Sequence, residues 1–153
     1  MLLPSADSVP AGEEPAGGTQ VLIATGRPVR VLYIEDNRAN VRLMSRICEL
    51  RENAVLTVAK TGGEGLTLAA QGRPDLILLD LHLPDMHGEE VLRQLRADER
   101  TSDVTVLVVT ADATNAARAA AHELGADGFL AKPIEVSEVL QWIDDPERVG
   151  GFA

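Results

Sequence analysis

From residue 29 onward, short apolar runs alternate with longer stretches of mixed polarity. The runs VRVLYI, AVLTVA, DLILLD, TVLVVT and GFLA are rich in Val, Ile and Leu, and they predict strands over residues 29–34, 54–59, 75–80, 105–110 and 128–131. Between them the apolar positions recur at helical spacing and predict helices over 40–50, 61–71, 89–97, 114–124 and 135–143. The first helix carries Val41, Leu43, Met44, Ile47, Cys48 and Leu50 on an arc of about half its circumference, wider than core contact alone requires. The second is the poorest, because Gly62, Gly63 and Gly65 weaken it. In the third, Glu89 and Glu90 suit the positive end of the helix dipole.

Strands this continuously apolar are expected to be buried on both faces, as in a parallel sheet. Five successive βα units therefore predict an α/β fold, a doubly wound five-stranded parallel sheet with right-handed crossovers and helices on both faces. Ahead of it, residues 1–28 carry PSADSVPAGEEPAGG, which has too little apolar surface to offset the entropy of ordering. They read as a flexible tail or interdomain linker containing one apolar island, VLIA at residues 21–24. The domain is expected over 29–145 and a C-terminal tail past the core over 146–153.

In an open α/β sheet, ligands bind beyond the carboxyl ends of the strands. Glu35 and Asp36 stand after the first strand, Asp80 at the end of the third, Thr110 at the end of the fourth, and Lys132 with Pro133 after the fifth. Each has an ordinary explanation alone, as helix cap, turn residue, solvated lysine or loop punctuation. Together they make three carboxylates, one hydroxyl and one ammonium on one edge of one sheet. A lone carboxylate at the end of a core strand such as ILLD costs several kcal/mol unless it is paired. Clustered carboxylates call for a hard cation such as Mg²⁺. A carboxylate beside such a cation can act as a nucleophile toward phosphorus, with lysine and threonine holding phosphoryl oxygens.

Composition narrows the setting. Among 153 residues there are 24 acidic and 14 basic side chains, for a net charge of -10, which argues against nucleic acid as a partner. Cys48 is the single cysteine, so no intrachain disulfide forms. No apolar run reaches the roughly 18 residues of a spanning helix, and the apolar part of the N-terminal stretch is too short for a secretory signal. A cytoplasmic location, with no membrane contact through this segment, is the expectation.

The motifs IEDN, LLDLHLPDMHG, VVTADAT and GFLAKPI, in this order, resemble the receiver (response-regulator) domains of two-component phosphorelay signalling over residues 29–143. The resemblance implies the flavodoxin-like strand order 2-1-3-4-5. It implies that Asp80 accepts a phosphoryl group from a phosphohistidine, and that Asp36 and Asp80 bind Mg²⁺ (or Mn²⁺), with Glu35 acting directly or through a water and the backbone carbonyl of His82 completing the shell. Thr110 and Lys132 would hold the phosphoryl oxygens. Phe129 would be the switch aromatic, turning inward as Thr110 moves, and the Lys132–Pro133 peptide would be cis. Glu35 departs from the family's commoner Asp. His82, two residues past the acceptor, would tune phosphoryl lifetime, unless it is simply an exposed loop side chain. Ala111 is small and would leave the site open to a donor.

The implied donor is a histidine kinase or a histidine-containing phosphotransfer protein, and an unidentified downstream protein would read the switch. Arg38, Arg42 and Arg46 share one face of the first helix, either as a solvated face or as a docking surface for an acidic patch on the donor. The linker-like lead-in and the EDNRAN stretch, with Asn37 and Asn40, suit the C-terminal receiver of a hybrid histidine kinase, and a free-standing regulator is the other context. No output domain is expected after the receiver. Two rival functions are a phosphorylation-independent interaction module, which would normally lack one of the site residues, and an aspartyl-phosphate phosphatase, whose nucleophile would follow the first strand. As an isolated domain, the only catalysis expected is its own phosphorylation and dephosphorylation.

Overall fold

A computed structural model describes residues 27–152. The apolar island at 21–24 and most of the expected linker lie outside the described residues. The elements run β1 Val29–Ile34, α1 Arg38–Cys48, β2 Ala54–Ala59, α2 Gly62–Gly72, β3 Leu76–Leu79, α3 Gly88–Ala97, β4 Thr105–Thr110, α4 Asn115–Glu123, β5 Gly128–Ala131 and α5 Val136–Asp144. All strand pairs are parallel, in the order β2-β1-β3-β4-β5.

Strand alternation sorts the core into two layers. Leu32, Ile34, Ile77, Leu79, Val106, Val108 and Phe129 face Ala69, Val91, Leu92, Leu95 and Ala121 of α2, α3 and α4. On the other face, Tyr33, Leu76, Leu78, Leu107, Val109 and Leu130 meet α1 through Met44, Ile47 and Cys48, and α5 through Val139, Trp142 and Ile143. Burial of Cys48 pushes its thiol up to about 11, so it packs as a small apolar group.

Several boundaries shift from the sequence reading for local reasons. The α1 helix begins at Arg38 rather than at residue 40, because the Asn37 side chain accepts the Asn40 N–H and caps it. It ends at Cys48, and Leu50 lies in the following turn, 57% exposed. Leu43 is also exposed, so the surplus width of the apolar arc faces outward. The β3 strand is shorter at both ends. Asp75 ties back to β1, its carboxylate accepting the Arg30 N–H and its own N–H donating to the Arg30 carbonyl. Burial on both faces holds for β3 and nearly throughout β4, but not for β2, an edge strand on which Val55 is 50% exposed.

The glycines of α2 have a positive use that propensity alone hides. A Cβ on Gly65 would lie 2.5 Å from Cδ1 of Ile34, so its absence lets the helix seat directly on β1. The start of α2 is held by Asp85, whose carboxylate accepts the N–H groups of Gly62 and Gly63 at 2.7 and 2.9 Å. Arg96 at the end of α3 donates to the carbonyls of Val104, Ser102 and Gly125 and to the Asp127 carboxylate, pinning the loops on either side of α4 and β4. At Gly88 a Cβ would meet the Asp80 carbonyl at 2.5 Å and Leu81 Cα at 2.7 Å, both backbone atoms with no freedom to yield.

Gly88→Ala is therefore expected to destabilise the fold by about 1–3 kcal/mol, the usual penalty for overpacking. Gly72→Ala, where nothing lies within 4 Å of the new methyl, should be neutral or gain up to about 1 kcal/mol. Urea unfolding of the two variants checks the contrast, and equal midpoints would contradict it.

Candidate functional site

The carboxyl ends of β1 and β3 lie side by side, with Ile34 paired to Leu79, so the residues that follow emerge together. Carboxylate oxygens of Glu35, Asp36 and Asp80 lie within 4.8 Å of one another. Glu35 and Asp80 are buried, 1% and 5% exposed, while Asp36 faces solvent. The cis Lys132–Pro133 peptide follows β5, and the Lys132 N–H donates to the Thr110 carbonyl at 2.9 Å, bringing the fourth and fifth strand ends to the same edge. Lys132 Nζ then sits 2.6 Å from Glu35 Oε1 and 3.7 Å from Asp80 Oδ2.

Glu35 is the most heavily bonded group in the site. Its Oε1 accepts from Tyr33 Oη at 3.0 Å, Asn40 Nδ2 at 3.3 Å and Lys132 Nζ, and its Oε2 accepts the Asn37 N–H at 3.2 Å. Burial by itself would raise its pKa, but the Lys132 hydrogen bond, the Asn37 N–H, the lysine charge and the Tyr33 hydroxyl together hold the carboxyl below its ordinary value. Asp80 moves the other way. Burial and the neighbouring Glu35 charge raise it, and Lys132 with the N–H groups of His82 and Leu81 offset this only in part. Burial and the Glu35 charge push the Tyr33 hydroxyl far up, so it stays a donor. Lys132 is committed mainly to the longer acid, which leaves Asp80 the carboxylate most in need of positive charge.

Thr110 is fully buried and its Oγ1 accepts the Asp112 N–H at 3.2 Å, which leaves the hydroxyl proton to donate elsewhere. Ala111 is exposed beside it. The His82 side chain is 60% exposed, 3.9 Å from the Asp112 carboxylate, and its ring meets that of His87 edge-on at 5.6 Å, so it closes the loop rim rather than entering the site. Phe129 is 3% exposed and lies inside the core, under the Arg118 guanidinium at 5.2 Å. Arg38, Arg42 and Arg46 are all exposed, and none forms an ion pair among the described residues.

Tyr33 was missed by the sequence reading as a site residue. The signal was available, since strand alternation places it two residues before Glu35 on the same side. Asn40, noted only for its sequence context, reaches back one helical turn to the same carboxylate. Asp85 acts at the rim through a contact with α2 that no local pattern announces, whereas the Asp112 N–H meets the Thr110 hydroxyl in a local turn.

Two measurements check this electrostatic arrangement. Tyr33→Phe keeps the ring and removes one donor to a buried carboxylate, and should destabilise the protein by about 1.5–3 kcal/mol, read by urea unfolding at neutral pH. In EDTA, Asp80→Asn should be more stable than the parent at pH 7, because an acid whose pKa is raised by folding opposes folding while it is ionised. The gap should be full above the raised pKa and close as the pH falls through it toward the ordinary value of about 3.9. A parent more stable than Asp80→Asn across that range would refute the assignment.

Comparison with known proteins matches this geometry. The sequence profile of the response regulator receiver domain matches residues 31–144. The DNA-binding dual master transcriptional regulator RpaA of Synechocystis is 41% identical over 111 residues, 72% of this chain and 46% of RpaA. The polar-differentiation response regulator DivK of Brucella anthropi is 33% identical over 116 residues, 76% of this chain and 94% of DivK. The chain thus spans about half the length of RpaA and of the MprA response regulators of Mycobacterium, but nearly all of DivK. Among solved structures, the receiver domain of the sensor histidine kinase PA1611 from Pseudomonas aeruginosa, which has a magnesium ion coordinated in its active site cleft, superposes with a TM-score of 0.69 at 27% identity, covering 76% of this chain and 94% of that one. A CheY-like receiver domain protein from Methanospirillum hungatei gives 0.70 at 28% identity, covering 78% and 93%. With the fold, the strand order and the acidic strand-end cluster in agreement, the chain belongs to the response regulator receiver domains of two-component systems.

Proposed function

We propose that Asp80 accepts a phosphoryl group from a phosphohistidine on a histidine kinase or a histidine-containing phosphotransfer protein, and that the modified domain signals to a downstream protein. The observation that carries this reading is the convergence of three carboxylate oxygens within 4.8 Å around an acid that Lys132 serves only at 3.7 Å. In the transfer a carboxylate oxygen of Asp80 forms a bond to phosphorus while the phosphorus–nitrogen bond breaks, its electron pair returning to the departing imidazole.

The donor set fits a hard divalent cation, being all oxygen, clustered, and carrying more negative charge than Lys132 neutralises. Asp36 and Asp80, with Glu35 and the His82 carbonyl, are the groups that would hold Mg²⁺ (or Mn²⁺). When bound, the ion supplies charge that offsets the carboxylates and the phosphoryl oxygens. The protein's own groups do the rest. The N–H groups of Leu81 and His82 orient the acceptor carboxylate, Thr110 offers a hydroxyl proton to a phosphoryl oxygen, and Lys132 is near enough to shift its ammonium from Glu35 toward new charge on Asp80. The exposed Ala111 leaves the approach open to the donor, and His82 at the rim tunes how long the phosphoryl group survives. The arginine face of α1 is the surface for an acidic donor patch. Among the described residues no helix is long and apolar enough to cross a membrane.

Intact mass spectrometry after incubation with a small phosphodonor, with and without Mg²⁺, should show a single phosphoryl adduct in the parent that depends on the metal. It should be absent from Asp80→Asn and reduced at least tenfold in Lys132→Met, each lost charge contact being worth 1.4 kcal/mol or more. An adduct that persists in Asp80→Asn would move the acceptor elsewhere. No adduct from either a small donor or a phosphohistidine protein would favour a module that signals by binding alone.

A further inference from the structure

The segment after α5, expected to be a tail past the core, is seated on it. Arg148 stacks over the Trp142 ring at 5.2 Å and donates to Gln141. Gly150 takes a φ of +87°, in the left-handed region open to glycine. Gly151 then forms a parallel bridge with Gly128 at the free edge of β5. A Cβ on Gly151 would lie 2.1 Å from the Asp127 carbonyl, 2.7 Å from Gly128 Cα and 2.8 Å from Trp142, so only glycine fits there. A Cβ on Gly128 would lie 2.5 Å from the Leu107 side chain and 2.8 Å from that of Trp142. Phe152 ends on α4, 4.6 Å from the His122 ring, and Arg118 lies over both Phe152, at 5.9 Å, and Phe129, at 5.2 Å.

We propose that the free edge of β5 and the adjoining face of α4 form a docking surface whose occupant is this chain's own segment 146–152, and that its seating is coupled to Phe129 through Arg118. Two features make this a built contact. The two glycines meet separate demands, one for a left-handed turn and one for close approach, and the aromatic that follows completes a guanidinium stack reaching the core. A strand edge left open is a template for pairing with another chain. The segment covers that edge at Gly128, and an extended partner adding to β5 there must displace it. Displacement removes one ring from the Arg118 stack and so alters the surroundings of the other, a linkage that works equally in the reverse direction. This inference does not depend on phosphorylation.

The aromatic content makes the test direct, because the chain has two phenylalanines, one tryptophan and one tyrosine. In the full chain with labelled aromatic rings, NMR reads Phe152 and Trp142 for seating, Phe129 for coupling, and Tyr33, buried in β1, for an intact core. Gly151→Val should shift the Phe152, Trp142 and Phe129 ring signals and raise acrylamide quenching of Trp142 at least twofold, with Tyr33 unmoved. Phe152→Ala, which introduces no clash, should shift Phe129 on its own and serves if Gly151→Val disturbs Tyr33. Val149→Ala, at a position 88% exposed, should change none of them. Unchanged Trp142 signals and quenching in Gly151→Val would overturn the docking. Shifts at Trp142 with Phe129 unmoved in both variants would overturn the coupling.

Discussion

Two carboxylates held almost out of water beside one ammonium set the terms for the rest of the molecule. Glu35 and Asp80 are buried at 1% and 5% exposure, and their separate desolvation costs are offset by a shared lysine, backbone N–H groups and a buried tyrosine. The offset is unequal. Glu35, one methylene longer than the family's commoner aspartate, takes the shorter contact with Lys132 and most of the donors, and its carboxyl falls below the ordinary range. Asp80 keeps the residual cost and its carboxyl rises. A metal ion or a new phosphoryl charge would enter a site in which Asp80 is already the less satisfied acid. In the proposed chemistry the reacting carboxylate is the one at the end of β3, which lies farther from Lys132 than the one at the end of β1.

The scaffold is built to hold that edge in place. Parallel pairing brings the strand ends together, and the loops that carry the acids are fixed from outside. Gly88 packs onto the Asp80 carbonyl and its N–H donates to the Leu81 carbonyl, which closes the loop after Asp80. Asp85 in the same loop grips the first turn of α2. On the other side, Thr110 and Asp112 link the end of β4 to the approach to α4, and Arg118 of α4 lies on the core through Phe129.

Features whose cause is local were legible from the sequence. The strand segments follow from apolar runs, and four of the five agree residue for residue with the structure, because each run is bounded by its own turn residues. Helix starts were less legible, since α1 is set by the Asn37 side chain rather than by its first apolar residue. The glycines of α2 were misjudged for a related reason. Propensity describes the helix alone, whereas Gly65 answers to Ile34 on another element.

The sequence by itself determined the βα alternation, the parallel sheet and the presence of acids, hydroxyl and lysine at strand ends, because a two-residue or 3.6-residue period is written in neighbouring positions. Only the tertiary structure decided which charges meet. Lys132 and Glu35 are 97 residues apart in the chain and 2.6 Å apart in space, and their preference over Lys132 with Asp80 rests on arm length and strand register. The same holds for Gly151 against Gly128 and for the edge position of β2, which leaves Val55 in water despite an apolar run. Such outcomes depend on where distant elements pack, and no local pattern encodes that.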